Sequence, residues 1–312
     1  MMQCSEMTLL SLLKVSLRRM LLAAPALQGP AMAHQRVDGA ARIEFAAQRG
    51  VTRLADLYQR APCRVLFPDT DPSEPTQAVL LTTSGGLTGG DRIKVDFCVG
   101  AGARATLTTQ AAEKLYRALP HEGAATIAVH ADIGPGAYAE YLAQETILFD
   151  GARLAREFDA DLAAGARLLA LESLVFGRGA MGEDFCHGFV HDAWRIRRNG
   201  RLVFADALRL DGPHFDGEVS ALRAAPFGFG RARAYGTLLY VAPDAADLLG
   251  TVRAALAEHA HIAHATTRDG MLILRLLADN AAALRSAALA AAGAVRHLAL
   301  NIPPRLPQVW FC

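Results

Sequence analysis

The stretch Thr82-Thr83-Ser84-Gly85-Gly86-Leu87-Thr88-Gly89-Gly90-Asp91-Arg92 constrains the fold more than any other part of the chain. Two glycine pairs bracket Leu87-Thr88, so the backbone there turns sharply or lies against another surface. Both flanks read as strands. Residues 78–81 are apolar before the loop, and Ile93, Val95, Phe97 and Val99 alternate after it with Arg92, Lys94, Asp96 and Cys98.

A glycine-rich loop between strands invites a phosphate, so an enzyme binding a small or phosphorylated molecule at residues 85–90 is one reading. The details disagree with it. No lysine follows the glycines as a P-loop requires, the spacing misses G-x-G-x-x-G, and no helix opens directly after them. Ser84 lacks an assignable base and stands outside any G-x-S-x-G turn. Paired carboxylates of the glycosidase kind cannot be picked out either. These absences argue for a protein without turnover of its own, and glycine packing is the default reason for the glycines.

From Arg36 to about residue 210 the pattern is that of a β protein. Ile127 and Val129 alternate with Ala128 and His130 before Gly134-Pro135-Gly136. Asn199-Gly200 has the form of a two-residue hairpin turn, joining a run with Trp194 and Ile196 on one face to Leu202-Val203-Phe204. No repeat of fixed period emerges, which disfavours a regular solenoid. Beyond residue 242 the period becomes helical. Residues 244–259 read as a helix capped by Asp244, 271–277 as a strand, and 279–298 as an alanine-rich helix. Pro303, Pro304 and Pro307 exclude a regular terminal element, while Trp310 and Phe311 can anchor the tail by burial. The expected fold is therefore mainly β (α+β). A many-stranded body of irregular β-sandwich or β-helix-like type spans 36–240, and a smaller helix–strand–helix portion spans 241–312.

Residues 1–33 read differently. Lys14, Arg18 and Arg19 break up their leucines, leaving no run of about 20 apolar residues for a membrane span. A secretory signal fits poorly, because the apolar stretch after Arg19 is short, holds Pro25 and starts late. We expect this extension to lie outside the fold, as a disordered segment or the product of a mis-assigned start. The formal charge is +1, from 32 basic and 31 acidic residues, so no basic field draws the chain to nucleic acid. Five scattered cysteines with no C-x-x-C pair argue against a zinc ribbon and a disulfide scaffold; reduced thiols point to the cytoplasm. A mean hydropathy of +0.19 is high for a soluble chain and suggests large interface patches.

Several segments, in order, resemble the UreD (UreH) family of urease accessory proteins. They are the glycine loop, Thr108-Thr109-Gln110-Ala111-Ala112-Glu113-Lys114-Leu115-Tyr116-Arg117, and Tyr141-Leu142-Ala143-Gln144-Glu145. Gly177-Arg178-Gly179-Ala180-Met181-Gly182-Glu183 and an opening with Gly50-Val51-Thr52-Arg53-Leu54 and Ala61-Pro62-Cys63-Arg64 complete the set. Ala143 stands where the family usually has proline, which loosens a strand edge without removing chemistry. The resemblance covers Arg36 to the C-terminus as one UreD-like domain, 34–312. It implies a scaffold for nickel insertion that docks on apo-urease and binds UreF, which recruits the GTPase UreG. GTP hydrolysis is then the partner's work. The resemblance also implies nickel in transit along an internal path, with no tightly bound cofactor. Ser84, Gly85, Gly86, Gly89, Gly90, Thr108, Thr109, Gln110, Lys114, Tyr116, Gln144 and Arg178 would shape that tunnel wall.

Nickel accepts oxygen and nitrogen ligands, and a carrier must release it, so exposed carboxylates suit the task better than a cysteine cage. Asp91, Glu145, Asp150, Glu172 and Glu183 are the path candidates. Each has a plainer role open to it: Asp91 can cap the glycine turn, and Glu172 can pair with an arginine such as Arg178. Cys186, His187 and His191 offer a second, softer ligand set. His259, His261 and His264 cannot all converge from one helix or one strand, and read better as solvated imidazoles near a helix end.

Overall fold

Ile93, Val95, Phe97 and Val99 are buried, and Arg92 and Lys94 face outward, as their alternation predicts. They belong to one of two facing sheets in a computed structural model that describes residues 36–212, 217–225 and 227–312. The 1–33 extension lies outside the described residues. The first sheet holds β1 (Asp38–Gln48), β2 (Val51–Arg60), β5 (Arg92–Val99), β8 (Ala125–Ile133), β11 (Arg153–Leu162), β13 (Phe189–Arg198) and β14 (Arg201–Asp211). Their order is β14-β13-β11-β8-β5-β1-β2. The second is ten-stranded. Its main path, β16-β17-β15-β12-β9-β6-β4-β3, comprises β3 (Cys63–Leu66), β4 (Thr76–Thr82), β6 (Arg104–Thr109), β9 (Tyr138–Leu142), β12 (Arg167–Phe176), β15 (Ala234–Val241), β16 (Ala263–Arg268) and β17 (Met271–Ala278). Short β7 (Glu113–Leu115) and β10 (Thr146–Leu148) pair beside β12.

Between β4 and β13 the chain winds from one sheet to the other and back, so neighbouring strands within each sheet run parallel. Thr76 pairs with Ala105, Arg104 with Tyr138, and Tyr138 with Arg167, which are offsets of 29, 34 and 29 residues. Unequal coils leave no fixed period in the sequence, which is why a winding fold showed no repeat. The ends close with hairpins. Asn199 (φ 51°) and Gly200 (φ 76°) make the left-handed two-residue turn between β13 and β14 that their identities predict.

Inward residues of both sheets, including Phe45, Phe97, Leu107, Ile133, Phe158 and Phe176, form the main core. A second core lies on the other face of the second sheet, under the helices Leu249–Ala255 and Ala281–Leu300. The longer helix buries Ala287, Ala288, Ala291 and Ala292, whose small side chains let its backbone approach the strands, and Asn280 caps it by accepting from the Ala283 amide at 2.8 Å.

Two local expectations change. Asp244 caps no helix: its carboxylate accepts from the Tyr240 hydroxyl (3.2 Å) and pairs with Arg167 (3.1 Å), and the helix starts only at Leu249. Strand β16 was not foreseen, because Ala263–Arg268 alternates small and polar residues without a strong apolar run. The strands of the 241–312 portion extend the second sheet, through β15–β17 and β16–β17 pairing.

Candidate functional site

The glycine loop is a crossover. It carries the chain from β4 in the second sheet to β5 in the first, and it pairs with the Glu113–Leu115 segment on the way. Leu87 donates to the Lys114 carbonyl and Tyr116 donates back to Leu87, both at 2.8 Å. At Gly86 (φ 138°) a Cβ would meet the Tyr116 ring at 2.5 Å and the Lys114 carbonyl oxygen at 2.8 Å. At Gly89 it would meet the Gly123 carbonyl oxygen at 2.8 Å. Close backbone approach therefore explains these glycines. Asp91, which is buried, accepts from the amides of Val37 (2.9 Å) and Thr88 (2.8 Å) and so caps the turn.

Beneath the loop a cavity of about 220 Å³ enters the space between the sheets. Gly85, Gly86, Gln110 and Lys114 lie at its loop side; Ile93, Val95, Ile127 and Val129 form an apolar wall, and Tyr141, Thr146 and Arg156 also line it. Thr109 and Gln144 join the lining from the ends of β6 and β9. Glu113 lines it too, hydrogen-bonded by Thr82 at 2.9 Å, and burial raises its carboxyl above the ordinary range.

Arg156 leads to a buried ionic cluster. Strand β11 places it inward with Leu154 and Phe158, β13 places Asp192 inward between Val190 and Trp194, and β12 does the same for Glu172. Arg156 holds Asp192 with two parallel hydrogen bonds of 2.8 Å and donates to Thr146 at 3.1 Å. Glu172 Oε1 accepts from the Tyr141 hydroxyl at 3.3 Å. Its Oε2 lies 3.5 Å from Arg156 Nε and accepts no hydrogen bond. Burial pushes the Glu172 carboxyl up to about 7; Arg156 opposes that rise, and the negative charge of Asp192 adds to it.

The remaining candidates lie apart. Glu145 is held by Arg285 at 2.8 and 2.9 Å, and Glu183 by Arg178 at 2.5 Å on the surface. Glu172 thus pairs with Arg156, and the expected partner Arg178 takes Glu183 instead. Asp150 pairs with Arg117 at 2.7 Å and accepts from the amides of Cys186 (3.0 Å) and His187 (2.8 Å). Burial tends to raise its carboxyl, but those amide bonds outweigh it and hold the group below the ordinary range. Thr108 faces the helix side, with its hydroxyl on the Leu142 carbonyl and the Trp310 indole. Ser84, Gly89, Gly90, Tyr116 and Arg178 are not among the cavity-lining residues. His191 sits on β13, several strand positions from Cys186 and His187. Among the described residues no three His, Cys, Asp or Glu side chains group closely enough to hold a metal ion, and the histidines at 259, 261 and 264 are spread over a 3₁₀ turn, a loop and β16.

The family model described as UreD urease accessory protein matches residues 37–311. The chain belongs to that family. Similar proteins named urease accessory protein UreD come from Methylobacterium sp. strain 4-46, at 44% identity over 84% of this chain and 89% of the relative. Those of Rhodopseudomonas palustris strain HaA2 (42%, 88% and 94%) and Agrobacterium fabrum strain C58 (40%, 88% and 92%) are comparable. The recognisable UreD segments converge in part: loop 82–92, 108–117 and 141–145 all reach the cavity, while 177–183 stays on the surface.

Sequence reasoning missed Arg156 and Asp192, and with them an ionic cluster between the sheets. A signal was present. In Arg153–Leu162 an arginine shares the inward face with Leu154, Phe158, Ala160 and Leu162, where an unpaired charge is costly.

Proposed function

We propose that this UreD-family chain serves urease maturation as a scaffold and nickel conduit, acting in the cytoplasm with UreF and the GTPase UreG on apo-urease. It turns over no substrate of its own. Family membership supports the role in urease maturation. One observation carries the conduit: the buried Glu172 keeps an oxygen without a hydrogen bond, next to Arg156 and Tyr141, which line a cavity that reaches the glycine loop.

Taking three ionic groups out of water costs several kcal/mol per ion before pairing. Replacing such a cluster with apolar side chains of similar volume is often neutral or stabilising. A passage for a divalent cation needs the opposite: isolated oxygens that bind weakly and release. Nickel, as cargo, would enter past Gly85, Gly86 and Lys114, follow Thr109 and Tyr141, and meet Glu172 beside Asp192. Asp91, Glu145, Asp150 and Glu183 accept hydrogen bonds from amides or arginines, whereas Glu172 Oε2 accepts none, so Glu172 is the carboxylate to which we assign transit.

The test is complementation in a host carrying the urease operon with this gene deleted. Wild-type chain restores urease activity and nickel content. Glu172→Gln still co-purifies with UreF and urease but leaves the urease nickel-poor. Full nickel loading without the gene would end the maturation role, and full loading with Glu172→Gln would end the conduit through this cluster.

A further inference from the structure

Gln144, which lines the cavity, and its neighbour Glu145, which does not, lie at the point where the second sheet is interrupted. Strands β6 and β9 end at Thr109 and Leu142, and pairing resumes only at β7 and β10. Through that gap Glu145 and Gln144 reach Arg285 on the long helix. Its Nη1 donates to both Glu145 oxygens (2.9 and 2.8 Å), and its Nη2 to Gln144 Oε1 (3.0 Å) and to the Trp310 carbonyl (2.6 Å). The guanidinium also lies 4.8 Å from the Trp310 ring centroid.

The tail completes the plug. Trp310 is buried and donates its indole N–H to Thr108 at 3.0 Å, and Gln144 Nε2 bonds both the Thr109 carbonyl (3.0 Å) and the Val309 carbonyl (3.4 Å). Thr109 and Gln144 line the cavity on the other side. A single layer of side chains therefore separates the cavity from the tail. The tail holds no long element of its own, and Leu306 and Trp310 seat it in the second core. It follows three prolines, forms only the 3₁₀ turn Gln308–Phe311, and leaves Phe311 and Cys312 exposed.

We infer that the C-terminal tail is a detachable outer wall of the cavity, and that Arg285 is the positioning residue that latches it to Gln144 and Glu145. Release of the tail frees the cavity wall at Thr109–Gln144 and opens a second door on the helix side. Glu145 then acts as half of a latch and takes no cargo. This holds whether or not nickel uses the cavity, so its failure and that of the conduit are separable.

Hydrogen exchange and tryptophan quenching on the full-length protein test it. Trp194 is buried in the inter-sheet core, so acrylamide reports Trp310. Arg285→Met should raise quenching about threefold and speed amide exchange at 109–113 and 143–146 about tenfold, leaving 153–162 unchanged. Arg285→Lys, which keeps the charge but loses the planar fork, should fall between wild type and Arg285→Met. Tail release with unchanged exchange at the wall would overturn the proposal, as would a tail that stays seated in Arg285→Met. Should Arg285→Met fail to fold, Trp310→Phe keeps an aromatic side chain but removes the indole N–H bonded to Thr108, together with the volume of the five-membered ring. It should speed exchange in the same two segments about twofold, and no change there would equally overturn the latch.

Discussion

Two buried arginines show how the same chemistry can be closed in one layer and left open in the next. Arg296, fully buried on the long helix, donates to Glu140 at 2.9 Å. Both Glu140 oxygens are satisfied: Oε2 accepts from Thr106 at 2.5 Å, and Oε1 from Tyr138 at 3.0 Å as well as from Arg296. The Arg305 carbonyl and Glu74 complete the arginine's surroundings. Arg156, between the sheets, satisfies Asp192 completely but leaves Glu172 Oε2 with no hydrogen bond. The first cluster pins the helix and the chain beyond it to the second sheet. The second reaches the cavity through Arg156 and leaves one acceptor without a hydrogen bond.

Breaking the closed cluster should have the largest effect. Arg296→Met leaves Glu140 buried without its counter-ion and should cost about 4 kcal/mol, read by urea denaturation, with the helix detaching first. Removing the open one should behave differently. The Glu172 carboxyl titrates near 7 in the folded protein, against an ordinary carboxyl near 4.3 when unfolded. Between those values the folded state holds a proton that the unfolded state loses, so the wild type loses stability as pH rises across that window. Glu172→Gln has no such loss. Its stability relative to wild type should therefore climb between pH 5 and pH 8, by on the order of 2 kcal/mol. A flat difference across that range would show that the Glu172 carboxyl is no different from an exposed one. The smallest effect separates the helix from its pin. Asn280→Ala removes the cap at the far end of the same helix and should cost about 1 kcal/mol while leaving the Arg296 contacts intact.

The fold was more legible than the site. Alternation at 92–99 and the Asn199-Gly200 turn each report a property of adjacent residues, and both were read correctly. Asp91 as a turn cap was also visible, because its partner amide at Thr88 is three residues away. The ionic cluster was not. Arg156, Glu172 and Asp192 sit on three strands of two sheets, brought together by coils of unequal length, and no local pattern marks their meeting. Arg285 was hidden for a similar reason: an arginine in an alanine-rich helix looks like a solvated face until the helix is laid over the gap beside Gln144.

The unequal coils described for the fold also bear on how the chain reaches its native state. Each parallel pair in the winding closes a loop of roughly thirty residues before it gains a hydrogen bond, and only the hairpins at the sheet ends, such as β13–β14 and β16–β17, can form from neighbouring sequence. Assembly must therefore wait on long closures, with apolar strands such as Arg167–Phe176 uncovered in the meantime. A chain built this way spends its most vulnerable moments before its sheets meet.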